Sequence, residues 1–154
     1  MRAEIEKKMK ETADYIFRHP EISEQEVQSS RALAAFLEEE GFALRWGIAG
    51  FETAFLAQWG QGKPIIGFLA EYDALPGMGQ EVCSARRPSG GPGHGCGHNL
   101  LGTACAGAAC ALKERMEKEG LSGTVRVYGC PAEETVIGKI RMNAEGVFDD
   151  LSAA

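Results

Sequence analysis

The chain has 154 residues, 44% of them hydrophobic and 25% charged, which is typical of a globular domain and excludes a disordered or fibrous protein. Its formal net charge of -6 disfavours a nucleic-acid partner, because contact with phosphates requires a basic surface. The N-terminus lacks a signal-peptide pattern and no apolar run reaches the roughly 18 residues of a membrane span, so we expect a cytoplasmic protein with no membrane partner.

The first part of the chain predicts two amphipathic helices. Apolar residues recur at helical spacing over residues 3–17, and the segment ends at His19 because a residue before proline is pushed out of the α region. A second helix is predicted from Ser23, with Glu26 three positions on as a capping box, to a left-handed stop at Gly41. We expect both helices to cover one face of a sheet.

Four segments have the composition of strands, and each is bounded by turn-forming residues. They are residues 42–46, 53–59, 64–70 and 125–129. The run at 64–70 has no polar alternation, which predicts a central strand buried on both faces.

Two further helices complete the pattern. One is predicted over residues 100–119, with Asn99 as its N-cap and Gly120 as its stop, and its small, apolar N-terminal half should be the buried half. A short helix is predicted over residues 140–145. The order ααβββαβα predicts an α/β domain with a mixed sheet and helices on both faces, extending over residues 1–154.

The five cysteines do not form a disulfide pattern, because their number is odd and their spacing irregular. Cys105, Cys110 and Cys130 are interpreted as small, buried apolar groups. Cys96 lies in a glycine-rich loop over residues 73–97, and a loop of this length in a compact domain is usually functional or disordered.

Cys96 and His98 are the first candidate metal ligands. They are two positions apart in an extended, glycine-rich stretch, so their side chains leave the same side of the backbone. A thiolate and an imidazole suit zinc or a neighbouring transition metal. The spacing alone is also compatible with a flexible glycine loop that carries incidental cysteine and histidine residues.

Carboxylates follow two of the predicted strands. Glu133 and Glu134 come just after the strand at 125–129, and Glu71 and Asp73 come just after the strand at 64–70. Loops after strand ends are where α/β folds collect ligands and catalytic groups. One carboxylate of the Glu pair could bind an ion while its neighbour acts as a general base towards water. Taken alone, the pair is more typical of a solvated surface.

Four motifs in order resemble the amidohydrolases of the aminoacylase and carboxypeptidase metallopeptidase superfamily, peptidase family M20. They are residues 69–77, 93–102, 128–134 and 146–150, and the likeness runs from about His19 to the last residue. The resemblance implies a metal-dependent hydrolase of small N-acyl amino acids, cleaving the amide between an acyl group such as p-aminobenzoyl and an amino acid such as glutamate.

The resemblance also implies residue roles. Cys96, His98 and Glu134 would be ligands of a pair of zinc or manganese ions, Glu133 the general base, and Asp73 a residue that orients groups around the metals. His94 would lie near the site, with its role open.

Two departures from the family pattern bear on these roles. Residues 135–137 stand where relatives have a glycine-rich turn, which affects the loop that carries Glu134. The family also continues to two further histidine ligands and to a lid and dimerisation domain, none of which is in this sequence. We therefore expect the N-terminal part of a catalytic domain, inactive alone, with an open sheet edge that favours a homo-oligomer or a complementing chain.

Two other functions remain open at this point. The chain could be a non-catalytic interaction or regulatory module that keeps the fold, or a thiol-based redox protein that uses Cys96. Metal that is lost on Cys96→Ala would favour the hydrolase site. A cysteine that reacts without metal would favour the redox protein.

Overall fold

The computed structural model describes residues 2–154, and its elements follow the predicted order with one short 3₁₀ turn added at Ile48–Gly50. The helices are α1 (Ala3–Arg18), α2 (Val27–Glu39), α3 (His98–Glu119) and α4 (Gly138–Ala144), and the strands are β1 (Ala43–Trp46), β2 (Phe55–Gln61), β3 (Ile65–Glu71) and β4 (Gly123–Cys130). Within this described part, no helix combines the length and the apolar character needed to cross a membrane.

The four strands form one mixed sheet in the order β1-β2-β4-β3. Strand β2 pairs antiparallel with β1 and β4, whereas β3 and β4 run parallel with Glu71 opposite Cys130. Because parallel strands end at the same edge of a sheet, the segments that follow Glu71 and Cys130 emerge side by side. This edge carries the candidate site.

Strand β3 is not the central strand that its continuous apolar run predicted. Strands β2 and β4 take the two inner positions, and β3 lies at the edge of the described sheet. Its outer side is partly covered by the last residues, since the Gly67 amide donates to the Ala153 carbonyl at 2.9 Å. Its apolar run nevertheless matches burial on both faces, since α3 covers one face and Leu151 packs against the other. A Cβ at Gly67 would meet the Leu151 side chain at 2.8 Å.

The core lies on both faces of the sheet. On one face, α1, α2 and α3 pack around Ile5, Leu33, Phe55 and Val127, and the N-terminal half of α3 is its buried half, as predicted. On the other face, the 3₁₀ turn and α4 pack around Met142 and its neighbours. The prediction of a mixed sheet with helices on both faces is confirmed.

Helix α2 begins at Val27, so the predicted capping box of Ser23 and Glu26 is wrong. The carboxylate of Glu21 caps the helix instead, accepting the backbone N–H of Ser29 at 2.8 Å. An acidic group at a helix start satisfies free amides and matches the helix dipole. The side chains of Ser23 and Glu26 are therefore available for contacts elsewhere.

Helix α3 begins slightly earlier in the chain than predicted. Gly97, in the left-handed region with φ of 89°, is the N-cap, and His98 is the first helical residue. Asn99 was predicted to cap the helix, but its side-chain amide donates to the Ala13 carbonyl at 3.2 Å and ties α3 to α1. Gly120, with φ of 66°, ends the helix as predicted.

The five cysteines are free thiols, in agreement with the irregular spacing in the sequence. Cys110 and Cys130 are buried and Cys105 is half-buried, so these three behave as the small core groups predicted for them. Cys83 and Cys96 are exposed. Of these two, only Cys96 lies beside other potential metal ligands within residues 2–154.

Candidate metal centre

The parallel pairing of β3 and β4 brings four carboxylates to one edge of the sheet. Glu71 ends β3 and Asp73 follows it, while Glu133 and Glu134 follow the end of β4. Helix α3 starts beneath this edge, because the absence of a side chain at Gly102 lets the helix approach the Glu71 carbonyl. A Cβ at Gly102 would lie only 2.4 Å from that oxygen.

The imidazole of His98 lies at the centre of these carboxylates and is only 3% exposed. Its Nδ1 donates to Asp73 Oδ1 at 2.9 Å, and its Nε2 lies 3.0 Å from Glu71 Oε2. Glu133 Oε2 is 3.6 Å from Nε2, and Glu134 Oε1 is 3.7 Å from Nδ1. One ring nitrogen is therefore held by Asp73, and the other faces Glu71 and Glu133.

The electrostatics of the site follow from this arrangement. Burial opposes a charge on His98, but hydrogen bonds with Asp73 and Glu71 outweigh burial and raise its pKa to about 11. Burial likewise opposes the charge on Asp73 and Glu71, yet their hydrogen bonds with His98 lower the pKa of both carboxyls. Among these protein groups His98 therefore favours its imidazolium form, which offsets part of the negative charge of the carboxylates.

Asp73 connects three separate parts of the chain. Its carboxylate is fully enclosed, and besides His98 it accepts the Ser23 hydroxyl at 2.8 Å and the backbone N–H of Glu134 at 2.9 Å. A carboxylate that receives the Nδ1–H of a histidine fixes the tautomer and leaves Nε2 for a metal. The family resemblance predicts an orienting role for Asp73, and that role stays a prediction.

Two sets of potential ligand atoms converge at His98. In the first, one atom each from Cys96, His98 and Glu134 all lie within 4.8 Å of one another, and in the second the same holds for Glu71, His98 and Glu133. The three residues singled out in the sequence as ligands thus come together from two loops and a helix start. Their sulfur, nitrogen and oxygen atoms form a donor set that suits zinc and related metals.

Glu134 has an oxygen that the polypeptide leaves unsatisfied. Its Oε1 is buried and makes no hydrogen bond within residues 2–154. Burial raises the pKa of Glu134, as do the nearby charges of Asp73 and Glu133, and this is only partly counteracted by His98 and the Cys96 thiol. A buried acceptor without a partner is costly in a protein interior, so this oxygen fits a position where a cation supplies the missing interaction.

The two adjacent glutamates differ in their exposure. The Glu133 side chain is 36% exposed, whereas the Glu134 side chain is 14% exposed and turned towards the interior. A ligand benefits from enclosure, and a general base needs access to water and substrate. The geometry therefore supports different roles for the two carboxylates.

Lys139 on α4 is a site residue that sequence reasoning missed. Its ammonium group forms an ion pair with Glu71, a carboxylate noticed in the sequence but left without a role. In the sequence, Lys139 resembles any surface lysine of a short helix, so no local signal distinguishes it. Only the packing of α4 beside the end of β3 brings the two groups together.

His94 lies outside both sets of ligand atoms. Its Nε2 donates to the Ile16 carbonyl at 3.2 Å, and burial lowers the pKa of the ring. Its contact is with the end of α1, so it ties the glycine-rich loop to that helix.

The departure from the glycine-rich turn has a structural consequence. Val136 adopts a φ of 60° in the left-handed region, which a β-branched side chain rarely occupies. Glu134 nevertheless remains within reach of Cys96 and His98.

Fold and site together define an α/β domain with a candidate metal centre at the carboxyl ends of two parallel strands, of the kind used by metal-dependent hydrolases. The chain belongs to peptidase family M20/M25/M40, whose family model matches residues 67–153. The family resemblance seen in the four motifs is thereby confirmed.

Individual relatives agree with this assignment. The chain is 50% identical over 145 residues to a p-aminobenzoyl-glutamate hydrolase subunit of Escherichia coli (strain K12), a match that covers 92% of this chain and 30% of that protein. It is 37% identical to Xaa-Arg dipeptidase of Homo sapiens, covering 88% of this chain and 32% of that protein. The chain thus spans about a third of the length of these curated relatives.

Solved structures share the fold. A dinuclear metal-binding peptidase of the M20 family from Bacillus subtilis superposes with a TM-score of 0.82 at 28% identity, covering 99% of this chain and 42% of that one. An aminobenzoyl-glutamate utilization protein from Klebsiella pneumoniae superposes with a TM-score of 0.65 at 19% identity, covering 93% of this chain and 41% of that one. At this identity the likeness concerns the fold alone.

Proposed function

We propose that residues 1–154 form the N-terminal part of the metal-binding catalytic domain of an amidohydrolase that cleaves N-acyl amino acids such as p-aminobenzoyl-glutamate. The observation that carries the proposal is the convergence of Cys96, His98 and Glu134 beside the more exposed Glu133. The substrate in the name of the Escherichia coli relative, which is 50% identical, supports the choice of substrate class.

The ligand set proposed for zinc or manganese is Cys96, His98 and Glu134. The unsatisfied buried oxygen of Glu134 and the mixed sulfur, nitrogen and oxygen donors support it. When bound, such an ion polarises an amide carbonyl and lowers the pKa of water. Two ions are proposed for the complete centre, by resemblance to the family and to the dinuclear Bacillus subtilis peptidase.

Proton transfer is proposed for Glu133. Its partly exposed carboxylate would accept a proton from the attacking water at Oε2 and then donate it to the nitrogen of the departing amino acid. Asp73 would hold Nδ1 of His98, so that Nε2 points into the site throughout.

The proposed setting is the cytoplasm, which the five free cysteines support. The Escherichia coli relative is named as one subunit of a hydrolase. We propose that this chain likewise requires a second copy or a complementing chain for activity.

A matched pair of variants tests the division of roles. Glu134→Gln should weaken zinc binding by more than the roughly 10- to 100-fold that loss of an outer-shell partner costs, because it removes a proposed ligand, whereas Glu133→Gln should weaken zinc binding much less. Competition with a chromophoric chelator measures both. Equal losses in the two variants would contradict the assignment of ligand and base.

Activity is best tested in a chimera. The matching segment of the Escherichia coli hydrolase is replaced with residues 19–154 of this chain, and release of p-aminobenzoate is followed. The chimera should hydrolyse p-aminobenzoyl-glutamate, and Glu133→Gln in it should lower kcat by about 10²- to 10⁴-fold, the contribution of a general base. A chimera that folds and binds zinc but shows no hydrolysis would refute the catalytic proposal.

A non-catalytic interaction module is the second candidate. Exposed apolar side chains near the site, at Leu100, Val136 and Ile140, favour a surface that contacts another protein. A folded chain that binds no zinc but associates with a full-length relative would support this function over the first.

A further inference from the structure

The carboxylate of Glu26 lies beneath the loop that carries Glu133 and Glu134, and it is fully buried. Its Oε1 accepts the backbone N–H of Ala132 at 2.8 Å, and its Oε2 accepts the Thr53 hydroxyl at 3.2 Å. In the described part of the chain, hydrogen-bond donors surround Glu26 but no basic side chain forms an ion pair with it. Burial of a carboxylate without a cation costs free energy unless hydrogen bonds compensate for the lost hydration, so the hydrogen bonds of Glu26 are important to it.

Ala132 is the pivot of that loop. It has a φ of 54°, in the left-handed region that alanine rarely occupies. Its carbonyl accepts the backbone N–H of Ile137 at 3.2 Å and the hydroxyl of Thr135 at 3.2 Å, which closes the turn. Because Ala132 directly precedes Glu133, its conformation determines the direction in which both glutamates leave the backbone.

Two carboxylates from different elements hold the loop on either side of Glu133. Glu26, just before α2, accepts the N–H of Ala132, and Asp73, just after β3, accepts the N–H of Glu134 at 2.9 Å. Removing Glu26 leaves the buried Ala132 amide without this acceptor, and removing Asp73 does the same for the half-buried Glu134 amide. Either change frees one end of the segment.

We propose that Glu26 is a positioning residue, whose hydrogen bond to the Ala132 amide holds the loop in its left-handed turn and so directs Glu133 and Glu134 towards His98. This inference rests on the proposed function, since it concerns the same metal centre. Glu26 touches neither metal nor substrate and acts through the loop.

Three variants test the role. Glu26→Met fills the volume but removes both acceptors, and should weaken zinc binding by roughly 10- to 100-fold, as loss of an outer-shell partner does. Glu26→Gln keeps one oxygen able to accept the Ala132 N–H, so its zinc affinity should stay close to that of the wild type. Glu21→Met is the matched control, because it removes a carboxylate that caps α2 without contacting the loop.

A second readout keeps the result independent of zinc. Amide hydrogen exchange over residues 132–135 should accelerate in Glu26→Met and not in Glu21→Met, with the exchange of β4 unchanged in both. If Glu26→Met fails to fold, Glu26→Asp replaces it, since the shorter side chain withdraws the acceptor from Ala132 but keeps the charge.

The outcomes separate the two proposals. Wild-type chain that binds no zinc refutes the proposed function, and the exchange data alone then decide the role of Glu26. Zinc affinity and loop exchange that are unchanged in Glu26→Met, or altered equally in Glu21→Met, overturn the positioning role while leaving the metal site intact.

Discussion

Asp73→Ala should lower the free energy of unfolding of the metal-free chain by about 3–5 kcal/mol, the range for removing one partner of a buried ion pair. The enclosed carboxylate holds His98 at 2.9 Å, the Glu134 amide at 2.9 Å and the Ser23 hydroxyl at 2.8 Å, and alanine satisfies none of them. Since domains are stable by only about 5–15 kcal/mol, the loss is a large fraction of the total.

Asp73→Asn should cost less than Asp73→Ala. One amide oxygen can still accept the Glu134 N–H and the Ser23 hydroxyl, whereas the amide nitrogen opposes the Nδ1–H of His98, which keeps Glu71 as its remaining anionic partner. We expect about 1–3 kcal/mol, the cost of one mismatched hydrogen bond to a charged group. The comparison therefore separates the loss of charge from the loss of all three contacts.

The assay is urea unfolding near neutral pH with a chelator present. Asp14→Ala is the control, because Asp14 forms an exposed ion pair with Arg18 and its loss should change stability by less than about 0.5 kcal/mol. If Asp73→Ala destabilises the chain no more than Asp14→Ala does, Asp73 does not organise the site and the reasoning fails.

The stability of the metal-free chain should also depend on pH through His98. Its pKa of about 11 in the folded state exceeds the ordinary 6.5, so its stabilisation is complete below pH 6.5 and is lost as pH rises towards 11. The urea concentration at the unfolding midpoint should therefore decrease as the pH is raised from about 7 to about 10, and it should decrease less in His98→Gln. An equal decrease in both proteins would contradict this. Gly102→Ala should cost about 1–3 kcal/mol because its Cβ would meet the rigid Glu71 carbonyl at 2.4 Å. Gly107→Ala, whose Cβ would meet only the flexible end of Met9, should cost less; thermal unfolding compares the two, and the reverse order would show that close helix packing at Gly102 is unimportant.

Elements with a strong local pattern were predictable from the sequence. The periodicity of α1 and the buried composition of β4 placed them within a few residues of their observed bounds, because both patterns reflect burial on one face or two. The edge position of β3 was not predictable, since an apolar run reports burial of its faces and says nothing about which strands lie beside it.

Helix starts were predicted less well, because polar side chains have several possible partners. Ser23 and Glu26 match a capping box in spacing, yet they contact Asp73 and Ala132, which are distant in sequence. Asn99 similarly contacts α1. Local rules cannot weigh these long-range contacts against a cap.

The convergence of Cys96, His98 and Glu134 was predicted because strand ends and glycine-rich loops collect functional groups and because the motifs resemble a known family. The contact between Lys139 and Glu71 was not predicted, since it depends on where α4 packs. The roles of all these residues as ligands, base or partners stay predictions that the experiments above address.

Cobalt binding tests the central claim most directly. Co²⁺ added to the chain should produce a thiolate-to-cobalt charge-transfer band, because the Cys96 sulfur lies within 4.8 Å of ligand atoms of His98 and Glu134. The band should disappear in Cys96→Ala and persist in Cys83→Ala, which removes an equally free and exposed thiol outside the site. A band that is absent from the wild type, or that survives in Cys96→Ala, would contradict a metal centre built on this cysteine.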